Sequence, residues 1–185
     1  YCRLPLAGCV ELLDSGWHEE RLTALLVMVA AYARGDAPER DEIFRTYLAH
    51  AARVNNWDLV DLSAPQIVGA HVAVGAAPLS LLRKLAASAV LWERRIAMIA
   101  TFQCIKNGDP APTLTLAGLL VNDRHDLMHK AVGWMLREVG KRIDSGLLEE
   151  FLAAHAATMP RTALRYAIER LPETRRAYWM GVRRG

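Results

Sequence analysis

The sequence predicts an all-α fold, an α-α superhelix of about ten helices in five pairs, within one domain spanning residues 1–185. Three observations carry that reading. Apolar residues recur at helical spacing with no convincing alternating stretch, helix breakers cut the chain at short intervals, and one local pattern returns after 34 and then 36 residues.

Taken in order, the first periodic run ends at Ser15-Gly16, and the next carries Leu22, Leu25, Leu26 and Val29 before Gly35-Asp36 stops it. Between there and Gly75 with Pro78, Asn55-Asn56 precedes a new run, and Asn56 is placed to cap its start. Later breaks fall at Gly108-Asp109-Pro110, Asn122-Asp123, Gly146 and Met159-Pro160. After Asn122-Asp123, Val132, Leu136 and Val139 share one helical side, the side expected in the core. A basic residue precedes a small one in Arg95-Ile96-Ala97, in Lys130-Ala131 and in Arg165-Tyr166-Ala167, which sets the period. Two helices and two turns fit that length, the arrangement of a HEAT-like repeat solenoid, in which each pair buries its apolar face against its neighbours. A ligand site then belongs on the concave wall lined by the second helix of each pair.

About half of the 185 residues are apolar, enough for one substantial core. No run is long enough for a membrane span, and the start has no signal-peptide pattern, so a soluble, cytoplasmic protein without a membrane partner is expected. Cys2, Cys9 and Cys104 lack CxxC spacing and read as buried thiols in a reducing compartment. His125 and His129 stand at i, i+4 without a third ligand nearby, so no metal is expected. A Gly-rich phosphate loop, a nucleophile elbow and HExxH are all missing, which removes support for nucleotide hydrolysis, serine hydrolase and zinc protease chemistry. The net charge of +3 is unevenly spread: residues 1–80 carry 6 basic against 10 acidic side chains, and residues 81–185 carry 17 against 10. Such asymmetry is one footprint of a polyanionic partner, and solvated helix faces also produce it.

Three aromatic and charged groupings stand out. Lys130, Trp134, Arg137 and Lys141 fall at i, i+4, i+7 and i+11, opposite Val132, Leu136 and Val139. A Trp on a basic stripe suits nucleic acid, since cations meet phosphates and an indole packs on sugars or bases. Trp57 and Asp61 project together at i, i+4 behind Asn56, whose helix start leaves backbone amides to face an anion. Asp58 falls in the first turn, where a carboxylate complements the helix dipole. Trp92 and Arg95 form the third pair; Glu93 and Arg94 read as solvent-facing, and a plain ion pair between Asp61 and Arg95 stays open.

The segments Val54–Pro65, Leu91–Thr101, His129–Lys141 and Met159–Arg170, in that order, resemble the hallmark stretches of the AlkD-like DNA alkylation repair family. The resemblance runs from about residue 10 to about residue 180. It implies a HEAT-like solenoid that excises cationic N3- and N7-alkylated purines from double-stranded DNA by hydrolysing the N-glycosidic bond, with no cofactor and without flipping the base into a pocket. By that resemblance Trp57 and Trp134 are the two cleft tryptophans, Asp61 is the essential carboxylate and Arg95 contacts DNA nearby. Asn56, Lys130, Arg137, Lys141, Arg161 and Arg165 are the expected DNA-binding residues, on a monomer. The family also implies N-terminal helices ahead of Tyr1 that supply another cleft residue, for which no counterpart is assigned. The competing readings are a non-catalytic binder of damaged or branched DNA and a protein-binding scaffold. Asp61 distinguishes the enzyme from the binder, because an acid facing phosphates costs a pure binder affinity.

Overall fold

The computed structural model describes residues 4–182, and Cys2 lies outside them. Among the described residues all regular structure is helical. The elements are α1 Leu6–Leu13, α2 His18–Arg34, α3 Ala37–Ala49, a 3₁₀ turn Ala51–Arg53, α4 Trp57–Ser63, a π-helical turn Pro65–Gly69 and α5 Ala70–Ala73. They continue with α6 Leu79–Ala86, α7 Leu91–Lys106, α8 Ala111–Leu120, α9 Asp126–Arg142, α10 Ser145–His155, α11 Arg161–Ile168 and α12 Glu173–Gly181. The second helices α2, α4, α7, α9 and α11 form one row, each packed on the next. With α1, α3, α6, α8 and α10 preceding them they make five pairs, and α12 closes the end against α11. Among the described residues no helix is long and apolar enough to cross a membrane.

Local chemistry sets the ends. Asp36 accepts from the Glu39 N–H and Glu39 returns a bond to the Asp36 N–H, a capping box at α3 with Pro38 in its first turn. Asn56 Oδ1 accepts the Trp57 N–H and starts α4. The break expected at Gly146 falls just before it, at Ile143-Asp144: Asp144 caps α10 by accepting the Gly146 N–H, and the glycine sits in the first turn. Pro65 does not end its rod. Lacking an N–H, it falls where the ladder widens, and the Gly69 N–H reaches back to the Ala64 carbonyl at 2.8 Å, so α4 runs on into α5 through the π turn. This widening divides one rod between two of the twelve α-helices among the described residues.

The core runs the length of the row. Ala97, Ala131 and Ala167, the residues that marked the period, are fully buried, as are Val132, Leu136 and Val139. Leu25 is buried, whereas Leu26 of the same run faces outward. Two close approaches fix the helix spacing near the cleft. A Cβ on Gly69 would lie 2.2 Å from the Ala100 carbonyl oxygen, so only glycine lets the π turn press onto α7. A Cβ on Gly133 would lie 2.4 Å from the Ala163 oxygen and 2.5 Å from Tyr166 Cβ, which holds α11 hard against α9. Cys9 and Cys104 are buried free thiols, and burial pushes both above their ordinary pKa.

Candidate functional site

Helices α4, α7, α9 and α11 converge on a cleft of about 290 Å³ lined by Trp57, Asp61, Arg95, Leu127, Lys130, Trp134 and Tyr166. Trp57 opens α4 and is 54% exposed, with Asp61 one turn further in. Arg95, on the second turn of α7, is only 4% exposed. Its Nε donates to Asp61 Oδ1 at 2.9 Å and its Nη2 to Oδ2 at 2.8 Å, while Nη1 donates to the Leu127 carbonyl at 2.5 Å. One guanidinium therefore ties α4, α7 and α9 together and fixes the plane of the carboxylate. Trp134 projects from α9 two turns beyond its start, partly buried and 6.1 Å from the Phe102 ring, which braces it. Tyr166 comes from α11 beside Gly133, and the close helix approach there brings its ring to the cleft.

Burial pushes the Asp61 carboxyl above its ordinary value; Arg95 pulls it back, and the nearby Asp58 charge adds to the rise. The site thus offers a fixed carboxylate in a partly desolvated setting with aromatic faces around it. Such a setting stabilises developing positive charge on a bound group, and a carboxylate of raised pKa accepts a proton from water more readily. Lys130 supplies the cationic side of the cleft, with Nζ 2.8 Å from Asp126 Oδ2. That neighbouring carboxylate raises the Lys130 pKa, so the ammonium stays charged. Among the described residues no group of three His, Cys, Asp or Glu side chains is arranged to hold a metal ion.

Trp57, Asp61, Arg95, Lys130 and Trp134, all singled out in the sequence, meet in one cleft. The Asp61–Arg95 ion pair left open above is present. Its consequence is that Arg95 lies beneath the carboxylate, not at the surface. Arg94 corrects the solvent-facing reading: its Nε donates to Asp123 Oδ2 at 2.6 Å and its Nη1 to the Ser88 and Ala89 carbonyls at 3.0 Å each. Asp58 keeps its first-turn position and also meets His18 Nε2 at 2.7 Å. Trp92 packs on the core and is not part of the cleft lining.

The basic stripe on α9 divides. Arg137 bonds to Glu169 and approaches Glu138 at 3.4 Å, and Glu138 is a buried carboxylate also bound by Arg142 at 2.7 Å. Arg161 donates to the Met180 carbonyl at 3.0 Å, whereas Lys141 and Arg165 are exposed. Asn56 is engaged as the cap of α4. Tyr166 is the aromatic cleft residue that sequence reasoning missed, and Leu127, whose carbonyl takes the Arg95 bond, was missed as well. Tyr166 had served only to set the repeat period, and the local signal at hand was its place on the same helix as Arg165.

The comparisons with known proteins bear on the family and the fold. A family model described as DNA alkylation repair enzyme matches residues 4–171. A solved structure described as a predicted DNA alkylation repair enzyme from Enterococcus faecalis superposes with a TM-score of 0.72 over 94% of this chain and 78% of that one. At 17% identity that likeness shows a shared fold. No curated protein matches the chain.

Proposed function

The chain belongs to the DNA alkylation repair enzyme family, and from that premise we propose that it is a DNA glycosylase. In this reading it hydrolyses the N-glycosidic bond of cationic N3- or N7-alkylated purines in duplex DNA and grips the damaged nucleotide by its backbone. The observation that carries the proposal is Asp61, locked by both nitrogens of the Arg95 fork at the floor of a cleft walled by Trp57, Trp134 and Tyr166.

The chemistry needs little more. An alkyl group on N3 or N7 has already made the purine a cation, so it departs with the bonding electron pair as a neutral base. Positive charge then develops on the deoxyribose, where Asp61 stabilises it electrostatically and takes the proton of the water that adds to C1′, leaving an abasic sugar. The indole faces of Trp57 and Trp134 add attraction for that charge, on the order of 1 kcal/mol each. Arg95 is the positioning residue: it orients Asp61 and keeps its carboxyl from rising further. Lys130, Lys141 and Arg165 supply charge for the phosphates, and a monomer suffices for all of these contacts.

The test is base release. Wild-type protein incubated with methylated duplex is expected to free 7-methylguanine or 3-methyladenine, and Asp61→Asn to lose that release while binding DNA almost unchanged. A wild type that binds the duplex and frees no base makes the protein a non-catalytic binder of damaged DNA.

A further inference from the structure

The inner helices start side by side, and polar links tie neighbouring starts in sequence: His18 to Asp58, Asp61 to Arg95, Arg95 to Leu127. The first of these links carries the row beyond the cleft to α2. His18 opens α2, and the residue before it is Trp17, the helix cap, whose backbone N–H bonds to Ser15 Oγ at 3.0 Å. Trp17 is 71% exposed, more than Trp57, on the helix start adjoining the one that Trp57 opens. A large aromatic left in water forgoes its burial, and Trp is among the side chains enriched as contact anchors.

We propose that Trp17 is a second aromatic contact for the same DNA strand, packing on the sugar or base of a nucleotide a few steps along from the one held at Trp57. This rests on the reading of the cleft as DNA-facing and extends it by one helix. Packed helices lie about 8–10 Å apart, and a strand advances about 3.4 Å per nucleotide along the duplex, so the contact falls about three nucleotides from the lesion. The charge around Trp17 defines its chemistry. Glu19 and Glu20 are exposed in the first turn of α2 and repel phosphate, and His18 is engaged with Asp58. The contact is therefore apolar stacking on sugar or base, which responds little to salt.

Binding of wild type, Trp17→Ala and Trp17→Phe is measured on a duplex bearing a stable abasic-site analogue, across a salt series, with base release from methylated DNA followed in parallel. The same binding is repeated on duplexes trimmed to about two nucleotides beyond the analogue on one side and then on the other. Trp17→Ala is expected to weaken binding to the full duplex roughly tenfold, the scale of one lost stacking contact, with an unchanged salt slope and with Trp17→Phe retaining most of the affinity. The loss is expected to vanish when one side is trimmed and to persist when the other is. Unaltered affinity for the full duplex, or a loss that survives trimming on both sides, overturns the assignment and leaves Trp17 to a protein partner. Absent base release with the Trp17→Ala pattern intact overturns the glycosylase reading alone, and a wild type that binds no duplex overturns both.

Discussion

Arg94 and Arg95 are consecutive on α7, and each grips an aspartate from another element through two nitrogens: Arg94 holds Asp123 and Arg95 holds Asp61. The chemistry of the two pairs is the same, yet their electrostatics run in opposite directions. Asp123 faces inward, accepts the His125 N–H at 2.9 Å as well as both Arg94 nitrogens, and sits below its ordinary pKa because those bonds and nearby charges outweigh its burial. Asp61 accepts from Arg95, faces a cleft, and sits above its ordinary pKa because burial outweighs the pairing. The lesson lies in linkage. An ionised Asp123 stabilises the folded chain at neutral pH, whereas an ionised Asp61 is held there at a cost to stability. A carboxylate kept charged against its own preference, in a cleft, is the pattern of a working group.

The largest test of that contrast exchanges each aspartate for its neutral isostere. Asp61→Asn is expected to cut base release by about 10³-fold, the scale of losing an electrostatic group at a reacting centre, with a smaller fall in melting temperature than Asp123→Asn, because relief of the carboxylate's burial cost offsets part of the lost Arg95 pairing. Asp123→Asn is expected to do the reverse. It leaves the Arg94 guanidinium under-paired in a largely buried site, which costs about 3 kcal/mol, or roughly 6 to 12 °C for a chain of this size, with base release per folded molecule kept. Thermal melts and single-turnover release on the same two proteins decide it. Equal loss of stability from both variants breaks the comparison.

Acid separates the two sites next. For Asp61 the charged form is active and its pKa is raised, so release is lost as the pH falls through a value above that of an ordinary aspartate. For Asp123 the folded pKa is depressed, so its stabilisation is present above the unfolded value and fades only as the pH falls through the lower folded one. A window of pH is thus expected in which the protein is folded by circular dichroism and inactive in base release. Arg95→Met removes the group that pulls Asp61 down, so the acid limb of its rate profile is expected to move to higher pH. An unmoved limb assigns the titration to some other residue.

How much of this was legible depended on the distance over which each feature is encoded. Trp57 with Asp61, and Lys130 with Trp134, were visible because four residues return a side chain to the same helix face. Arg95 could not be told from Arg94 by composition, because the choice is made by partners 34 and 29 residues away, where tertiary packing alone decides. The family resemblance, not the spacing, singled out Arg95. Tyr166 was hidden for the same reason: Gly133 on a different helix is what admits its ring to the cleft. The break expected at Gly146 falls just before it, where Asp144 caps α10, and the π turn at Pro65 had no local signal in the sequence.

The contrast between Arg94 and Arg95 shows that an arginine's sequence position says less than its partners do, and the basic stripe extends that rule to the smallest expected effect. Arg137 already meets Glu169 and Glu138, while Arg165 is exposed on α11, the helix that brings Tyr166 to the cleft. A cation engaged with carboxylates releases no counterion when DNA arrives, and an unengaged one does. Arg165→Ala is therefore expected to weaken duplex binding a few-fold and to lower the slope of log affinity against log salt by about 0.9, the contribution of one phosphate. Arg137→Ala is expected to leave that slope unchanged and to lower the melting temperature slightly by loosening α9 from Glu169. Salt titrations of the two variants in parallel rank the stripe by engagement, and a larger slope change for Arg137 than for Arg165 would show that DNA pulls Arg137 away from its carboxylates.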